Sequence, residues 1–353
     1  MLDAVNSSRS RRVAATLFCS AAGGWLFESI GMPAGWLSGG MLAVVAASLA
    51  GLESEIPDPA RWLIFLILGL FAGSGATPET LDQINTWPAS FTILIFGVLA
   101  VTIGSYLLLN RFFGWDGATA LFASLPGALS FIMATVEGLK VDIRKVAVAQ
   151  SIRVLILVEI FPLAMLVVGQ DMKPAGSGTA VTMPLPQMLA LLAACTAGSA
   201  LAYRLRFPGG IVLGSLLVSA GFFVTDTVSG GFPQWLVVPG MVGLGAIVGV
   251  RFRSGDRAVL PTLLLASVAA FALALLLSGL AAWVASLWLG IPLIQTLLAF
   301  APGALEAVVI LAFAMQVDPA YVAAHHVVRF FALALVVPIL ARRMLRLEEP
   351  SNV

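Results

Sequence analysis

Apolar stretches of the length needed to cross a membrane follow one another along almost the whole chain. A transmembrane helix needs about 20 apolar residues to cross a hydrocarbon core of about 30 Å. Uncharged stretches bounded by charges, prolines or polar runs predict twelve such candidates. They occupy residues 13–30, 33–51, 60–77, 88–110, 116–138, 145–168, 187–203, 208–225, 235–250, 259–287, 292–316 and 320–341. The pattern therefore predicts an all-α polytopic membrane protein.

Composition supports this class and excludes others. The chain is 60% apolar and 10% charged, with a mean hydropathy of +1.02, whereas soluble chains carry about 25% charged residues. A net charge of +1 offers no basic surface for nucleic acid. Two cysteines and two histidines predict neither a disulfide scaffold nor a metal centre. We expect the lipid bilayer and a small solute as partners and no cofactor, and leave a homo-oligomer open.

A hydrophilic segment that begins Gly-Gln-Asp-Met-Lys-Pro-Ala-Gly-Ser-Gly-Thr-Ala lies between residues 169 and 187 and is typical of a flexible linker. It divides the chain into near-equal halves. The predicted organisation is a cytoplasmic tail at 1–12, a membrane repeat at 13–168, a periplasmic linker at 169–186, a second membrane repeat at 187–345 and a cytoplasmic tail at 346–353.

The two halves match when the chain is shifted over itself by 176 residues. The matching positions are Pro126-Gly127-Ala128-Leu129 with Pro302-Gly303-Ala304-Leu305, Asp142 with Asp318, Arg153 with Arg329, and Gly69 and Gly73 with Gly245 and Gly249. So many coincidences at one offset indicate an internal duplication. The paired glycines are expected to bring helix backbones close together.

The distribution of basic residues favours inverted repeats. If all twelve stretches crossed the membrane, the positive-inside bias would vanish. If 116–138 and 292–316 are instead broken at Pro-Gly and return to the same side, sixteen of the nineteen basic residues lie in the cytoplasm. Each repeat then holds about five transmembrane helices plus a Pro-Gly-broken re-entrant helix pair, and the second repeat is inverted. The alternative is that Pro-Gly only kinks an ordinary span.

Half-helices of 10 to 12 residues, at about 1.5 Å per residue, reach roughly the middle of the bilayer. Non-helical backbone at that depth must be buried in protein or line a wet cavity, so the two breaks predict a solute site. The predicted substrate-binding residues are Arg153, Arg329, Ser124, Pro126, Gly127, Ser130, Gln150, Pro302 and Gly303. For Ser124, Ser130 and Gln150, hydrogen bonding between helices is an equal alternative.

The two arginines carry the sharpest chemical expectation. Asp142 and Asp318 are predicted to cap the helices that follow them, which puts Arg153 and Arg329 roughly 15 Å deep. A charge at that depth is costly and normally faces a partner or a watery cavity. One interpretation is a structural salt bridge to a nearby glutamate, Glu159 or Glu306. The other is a pair of anion-binding groups.

Three further residues are candidates for proton or ion coupling. Glu306 follows the second Pro-Gly and is predicted either to carry a proton or an ion or to neutralise Arg329. His325 and His326 precede Arg329 by four and three residues and share roughly its helix face. They are predicted either to relay protons or to hydrogen-bond to a neighbouring helix. No catalytic or metal-binding motif is recognised, so an enzyme is not expected.

The segments Ala123-Ser124-Leu125-Pro126-Gly127-Ala128-Leu129 and Ala301-Pro302-Gly303-Ala304-Leu305-Glu306, each continuing through an aspartate to an arginine, resemble the membrane AbrB family. The resemblance spans residues 13 to 345 and implies a bacterial inner-membrane protein with an internal AbrB duplication. Members are often labelled ammonia monooxygenases or transcriptional regulators, yet adjacent histidines on one helix do not supply an oxygenase ligand cluster. Ala128 and Ala304 replace a second glycine of the family pattern, and the first copy lacks the acidic residue that Glu306 supplies in the second.

The sequence therefore predicts a secondary transporter of a small, anionic organic solute in the inner membrane, with both termini in the cytoplasm. The alternative is a membrane-embedded sensor or regulator that affects gene expression through a partner, without transport.

Overall fold

The computed structural model describes residues 2–32, 34–76, 87–126, 141–168, 182–207, 209–258, 260–303, 305–315 and 317–348. These residues are almost entirely helical, and among them only an isolated bridge between Thr182 and Gly231 has β character. The α-helices of the described ranges are α1 Leu2–Ser29, α2 Gly35–Ala50, α3 Asp58–Gly73, α4 Trp87–Leu107, α5 Gly117–Ser124, α6 Ile143–Val168, α7 Leu185–Arg204, α8 Gly210–Val224, α9 Gln234–Gly249, α10 Leu260–Leu289, α11 Leu293–Phe300, α12 Leu305–Ala314 and α13 Pro319–Glu348.

The helices follow the predicted apolar stretches closely, apart from α1 and α13, which extend well beyond them into the charged ends. Among the described residues, four helices are long and apolar enough to cross a membrane, namely α4 with the π turn that follows it, α7, α10 and the Pro319–Val337 part of α13. Three shorter helices, α2, α8 and α9, are also strongly apolar. The predicted all-α, membrane-compatible class is therefore confirmed.

The predicted break at Pro-Gly is present in the second half. Helix α11 ends at Phe300, residues 301–303 are not helical, and α12 begins at Leu305. In the first half α5 ends at Ser124, and residues 127–140, which include Gly127 and Ser130, lie outside the described ranges. Proline lacks an N–H and forces the residue before it out of the helical region. Leu125 (φ −64°, ψ 124°) and Ala301 (φ −53°, ψ 133°) are accordingly extended.

The chain forms two compact units, and each contains segments from both predicted repeats. The first unit consists of Met1–Gln83, Leu155–Val259 and Glu306–Ala320. The second consists of Ile84–Val154, Leu260–Leu305 and Tyr321–Val353.

Helices of the first unit pack backbone against backbone at the predicted glycines. A Cβ atom at Gly73 of α3 would come within 2.5 Å of the Leu216 carbonyl oxygen on α8, and one at Gly245 of α9 within 2.8 Å of the Leu37 oxygen on α2. The packing role expected for these glycines is confirmed. The arrangement is also reciprocal, because the third helix of each half packs on the second helix of the other half.

The second unit contains α4, α5, the start of α6, α10, α11 and most of α13. Helix α4 packs along α10, where a Cβ atom at Gly97 would lie 3.0 Å from the Ala281 side chain. Helix α11 packs on α10 as well. This unit carries both buried arginines and both ends of the broken helices.

Asp142 and Asp318 cap the helices that follow them, as the sequence predicts. The Asp142 Oδ1 atom accepts a hydrogen bond from the Lys145 amide at 3.1 Å. The Asp318 Oδ1 atom accepts one from the Ala320 amide at 2.9 Å. These side chains satisfy amides that the first helical turn leaves without intrahelical partners. They fix the starts of α6 and α13, the helices that carry the two arginines.

Candidate functional site

Arg153 reaches from α6 to the C-terminal end of α5. Its Nη2 atom donates to the Ala123 oxygen at 2.8 Å and its Nη1 atom to the Leu125 oxygen at 3.0 Å. The side chain is 4% exposed. Carbonyls in the last turn of a helix lack intrahelical donors, and Pro126 has no N–H to offer. The guanidinium therefore caps the broken helix, where its charge also matches the negative end of the helix dipole.

Arg329 binds the break after α11, with one acceptor directly after the helix and one beyond Pro302. Its Nη1 atom donates to the Ala301 oxygen at 2.5 Å and its Nη2 atom to the Gly303 oxygen at 2.7 Å. It too is 4% exposed. The predicted site residue Gly303 thus contributes its carbonyl oxygen to the arginine.

The residue three positions before each arginine makes a second contact with it. The Gln150 Oε1 atom accepts from Arg153 Nη1 at 3.3 Å, and the Gln150 Nε2 atom donates to the Leu125 oxygen at 2.9 Å. In the second half, Arg329 Nη2 lies 2.7 Å from His326 Nδ1, and His326 Nε2 lies 3.1 Å from the Leu298 oxygen. We call Gln150 and His326 the helper side chains. The two groups of arginine, helper side chain and helix end lie 176 residues apart in the sequence.

A small cavity lies at the point where the two helix ends meet. Pro126, Pro302 and Arg329 line it together. Its remaining walls are residues of α4, α10 and α11, namely Leu94, Gly97, Val98, Val101, Ser278 and Phe300. The predicted site residues Pro126 and Pro302 are therefore brought to one place within the second unit, in an apolar space that holds one guanidinium.

The charge of the two arginines is only partly balanced by the groups they touch. Their hydrogen-bond acceptors are uncharged carbonyl oxygens, an amide and an imidazole. Both guanidinium groups belong to the same compact unit. In the part of the chain described, the Arg153 Nε atom is buried with no acceptor, and the ion pair with Glu159 considered from the sequence does not occur. Uncompensated positive charge in a buried site favours an anion.

His325 lies in a hydrogen-bonded aromatic cluster. Its Nδ1 atom is 2.8 Å from the Tyr321 carbonyl oxygen, and its Nε2 atom is 2.8 Å from the Ser90 hydroxyl of α4. Ser90 in turn lies 2.5 Å from the Tyr321 hydroxyl. The rings of Tyr321, Phe91 and Phe300 surround the imidazole at centroid distances of 4.0, 4.6 and 5.8 Å. The hydrogen bond to a neighbouring helix that the sequence allowed for a histidine is therefore present.

The remaining predicted residues are less informative. Ser124 donates to the Ala120 oxygen of its own helix at 2.7 Å. Glu306 is the second residue of α12, and its side chain lies outside the described part. Among the described residues no group of three or more His, Cys, Asp or Glu side chains is arranged to hold a metal ion.

Sequence reasoning missed Ser90 and Tyr321 and the carbonyl partners of the arginines. Ser90 is a serine within an apolar stretch, and nothing local relates it to a histidine 235 positions away. The sequence does contain a signal for the carbonyl acceptors. A proline two residues after a helix end leaves acceptors free, and an arginine on the helix that follows is a suitable donor.

A family model described as "Transition state regulatory protein AbrB" matches residues 36–345. The chain belongs to this AbrB family. It is 28% identical over 327 residues to "Putative regulator AbrB" of Escherichia coli (strain K12), covering 90% of this chain and 91% of that protein. It is 26% identical over 347 residues to "Uncharacterized protein YhjN" of Bacillus subtilis (strain 168), covering 90% of this chain and 89% of that protein. The range matched by the AbrB model contains both arginines, their helper side chains and both Pro-Gly breaks.

Proposed function

We propose that this AbrB-family chain is a secondary transporter of a small organic anion in the bacterial inner membrane. The observation that carries the proposal is the cavity lined by Pro126, Pro302 and Arg329, where two broken helices end beside a buried guanidinium. Helix breaks within an apolar bundle leave free backbone groups, and such breaks are typical of transporter binding sites.

The choice of an anion rests on the charges. Arg153 and Arg329 are buried with uncharged hydrogen-bond acceptors. A guanidinium has five N–H donors in a planar fork that matches a carboxylate. The Nε atom of Arg153 is also buried without an acceptor. A carboxylate entering the cavity beside Arg329 would offset buried positive charge and gain charge-assisted hydrogen bonds.

The proposed architecture consists of two inverted repeats, each with about five transmembrane helices and a re-entrant pair, and both termini in the cytoplasm. Reciprocal packing of α3 on α8 and of α9 on α2 supports it, since a twofold axis between halves generates reciprocal contacts. Repeats of opposite orientation allow alternating access to one central site. Glu306, in the first turn of α12 where the helix dipole favours a carboxylate, is our candidate for proton coupling.

The proposal is tested by uptake of radiolabelled pyruvate, succinate and citrate into proteoliposomes that hold an imposed pH gradient. We expect uptake of at least one of these carboxylates, and a fall of at least tenfold in Arg153→Gln and in Arg329→Gln. Arg204→Gln, at the exposed end of α7, is the matched control and should transport normally. Undiminished uptake in both buried-arginine variants would contradict the site assignment.

Orientation is tested separately with single cysteines at Lys140 and Arg251, in a chain whose two native cysteines are replaced by serine. Both positions should react with an impermeant thiol reagent only from the cytoplasmic side. Reaction from the periplasmic side would contradict the inverted repeats and leave the arginine site unaffected.

The printed name of the E. coli relative favours a second candidate, a membrane-embedded regulator that acts through a partner without transport. A stable partner co-purifying with the chain, together with no uptake of any carboxylate in the panel, would support this alternative.

A further inference from the structure

We infer that Gln150 and His326 are equivalent positioning residues, each holding the next arginine against the end of a broken helix, and that His326 does so as a neutral imidazole. The inference deepens the proposed function and rests on it only where the arginines are taken to bind the solute. The hydrogen bonding itself follows from the contacts of the second unit.

The partners of His326 determine where its proton lies. A guanidinium has donors and no acceptor, so Nδ1 of His326, 2.7 Å from Arg329 Nη2, accepts the hydrogen bond. A carbonyl oxygen only accepts, so Nε2, 3.1 Å from the Leu298 oxygen, donates. Both bonds require the neutral Nε2–H tautomer. A second proton on Nδ1 would set an N–H group against the N–H group of Arg329.

Gln150 performs the same two tasks with an amide. Its oxygen accepts from Arg153 at 3.3 Å, and its nitrogen donates to the Leu125 oxygen at 2.9 Å. The amide nitrogen also lies 3.4 Å from the Phe122 oxygen, the position that corresponds to Leu298 after the shift of 176 residues. A primary amide and a neutral imidazole each present one acceptor and one suitably placed donor. The two halves therefore use different residues for the same task, which is to accept from the arginine and to donate to a carbonyl at the end of the broken helix.

His326 is buried directly beside a guanidinium. It is 1% exposed, its Nδ1 atom lies 2.7 Å from Arg329 Nη2, and His325 precedes it in the chain. Helix α11 presents the Leu298 carbonyl to it. A proton would add a second positive charge directly beside Arg329 in a site removed from water, which is costly. His326 is thus a fixed support for Arg329, and coupling protons would have to bind elsewhere.

The first test reads the tautomer directly and needs no solute. The full chain, free of any histidine tag, is labelled with 15N-histidine and reconstituted in lipid nanodiscs. With two histidines in the sequence, the variant His326→Gln assigns both sets of two-bond 1H–15N signals. We expect His326 to remain a neutral Nε2–H tautomer from pH 5 to 8. An imidazolium or an Nδ1–H tautomer in this range would overturn the inference.

The second test asks whether glutamine replaces the histidine. His326→Gln should keep carboxylate uptake within about twofold of the wild type, whereas His326→Leu should lower it at least tenfold. The guanidinium 15N–1H signals of the buried arginines should stay resolved in His326→Gln and broaden in His326→Leu. These signals report the positioning of Arg329 even if the chain transports none of the carboxylates in the panel. Failure of the transporter proposal can therefore be distinguished from failure of the positioning role of His326. Equal broadening in the two variants would overturn the equivalence of histidine and glutamine.

Discussion

The two arginine clusters of the second unit differ in their residues and share one arrangement, in which an arginine and the side chain three positions before it bind backbone carbonyls where a broken helix ends. The first cluster consists of Gln150 and Arg153 at the end of α5, and the second of His326 and Arg329 at the end of α11. In both, a forked cation donates to two backbone carbonyls next to a Pro-Gly break, and a helper side chain bridges the cation and the helix end. The comparison teaches that the positions of donors and acceptors, rather than residue identity, define this site.

The clusters do differ in whether the neighbouring side chain, one residue before the helper, forms hydrogen bonds to α4. Behind the second cluster, His325 connects α13 to α4 through Ser90 and Tyr321. The position that corresponds to His325 in the first half is Ala149, whose side chain has no polar atom. The second cluster is therefore connected to α4 by additional hydrogen bonds, and α4 also lines the cavity. We call this connection of Ser90, His325 and Tyr321 the lock.

The largest expected effect comes from replacing either arginine by lysine. Lysine keeps the charge but has no fork, so it cannot reach both carbonyls of a helix end. Losing hydrogen bonds to a charged group and leaving carbonyls unsatisfied should cost about 3 kcal/mol in each cluster. Thermal unfolding in detergent, followed by tryptophan fluorescence, measures the loss. Arg204→Lys, on the exposed end of α7, is the control and should unfold like the wild type.

Equal losses in Arg153→Lys and Arg329→Lys are expected if the clusters are equivalent caps. A wild-type unfolding temperature in one variant and a large loss in the other would break the comparison.

Much of the fold was predictable from the sequence, because it depends on long apolar stretches and on local signals. The helix limits follow from the spacing of charges and prolines, the break in 292–316 from Pro302, and the caps from Asp142 and Asp318. The position of the arginines was predictable for the same reason. Their partners were not, since a backbone carbonyl at a helix end leaves no residue type in the sequence. The contact of Ser90 with His325 also could not be predicted, because it joins helices far apart in the chain.

The lock behind the second cluster gives the next effect in size. The Tyr321 carbonyl oxygen must accept, so His325 carries its proton on Nδ1, and Ser90 donates to Nε2 while accepting from the Tyr321 hydroxyl. Ser90→Ala leaves two buried polar groups without this partner and should cost about 2 kcal/mol. Ser105→Ala is the matched control on α4. Its hydroxyl is also buried but makes a long bond of 3.4 Å to the Ala270 oxygen, so the loss should be well under half as large.

Combining Ser90→Ala with Tyr321→Phe tests whether the lock is one connected chain of hydrogen bonds. If the two hydroxyls act through one hydrogen bond, the double variant should lose clearly less stability than the two single losses added together. Strict additivity would show that the lock is not a connected chain.

The smallest effect is expected at the helix caps, where the two halves should again behave alike. Asp142→Ala and Asp318→Ala each remove the side chain that accepts from a first-turn amide, and each should cost about 1 kcal/mol in thermal unfolding. Asp142 also lies 3.4 Å from the Lys145 ammonium in a partly exposed pair, which should add little. Asparagine at either position keeps an acceptor oxygen and should therefore restore most of the loss. A large loss of thermal stability in Asp142→Asn alone would mean that the ion pair, rather than the cap, fixes the start of α6. The similarity of the two clusters would then not extend to the helices that carry them.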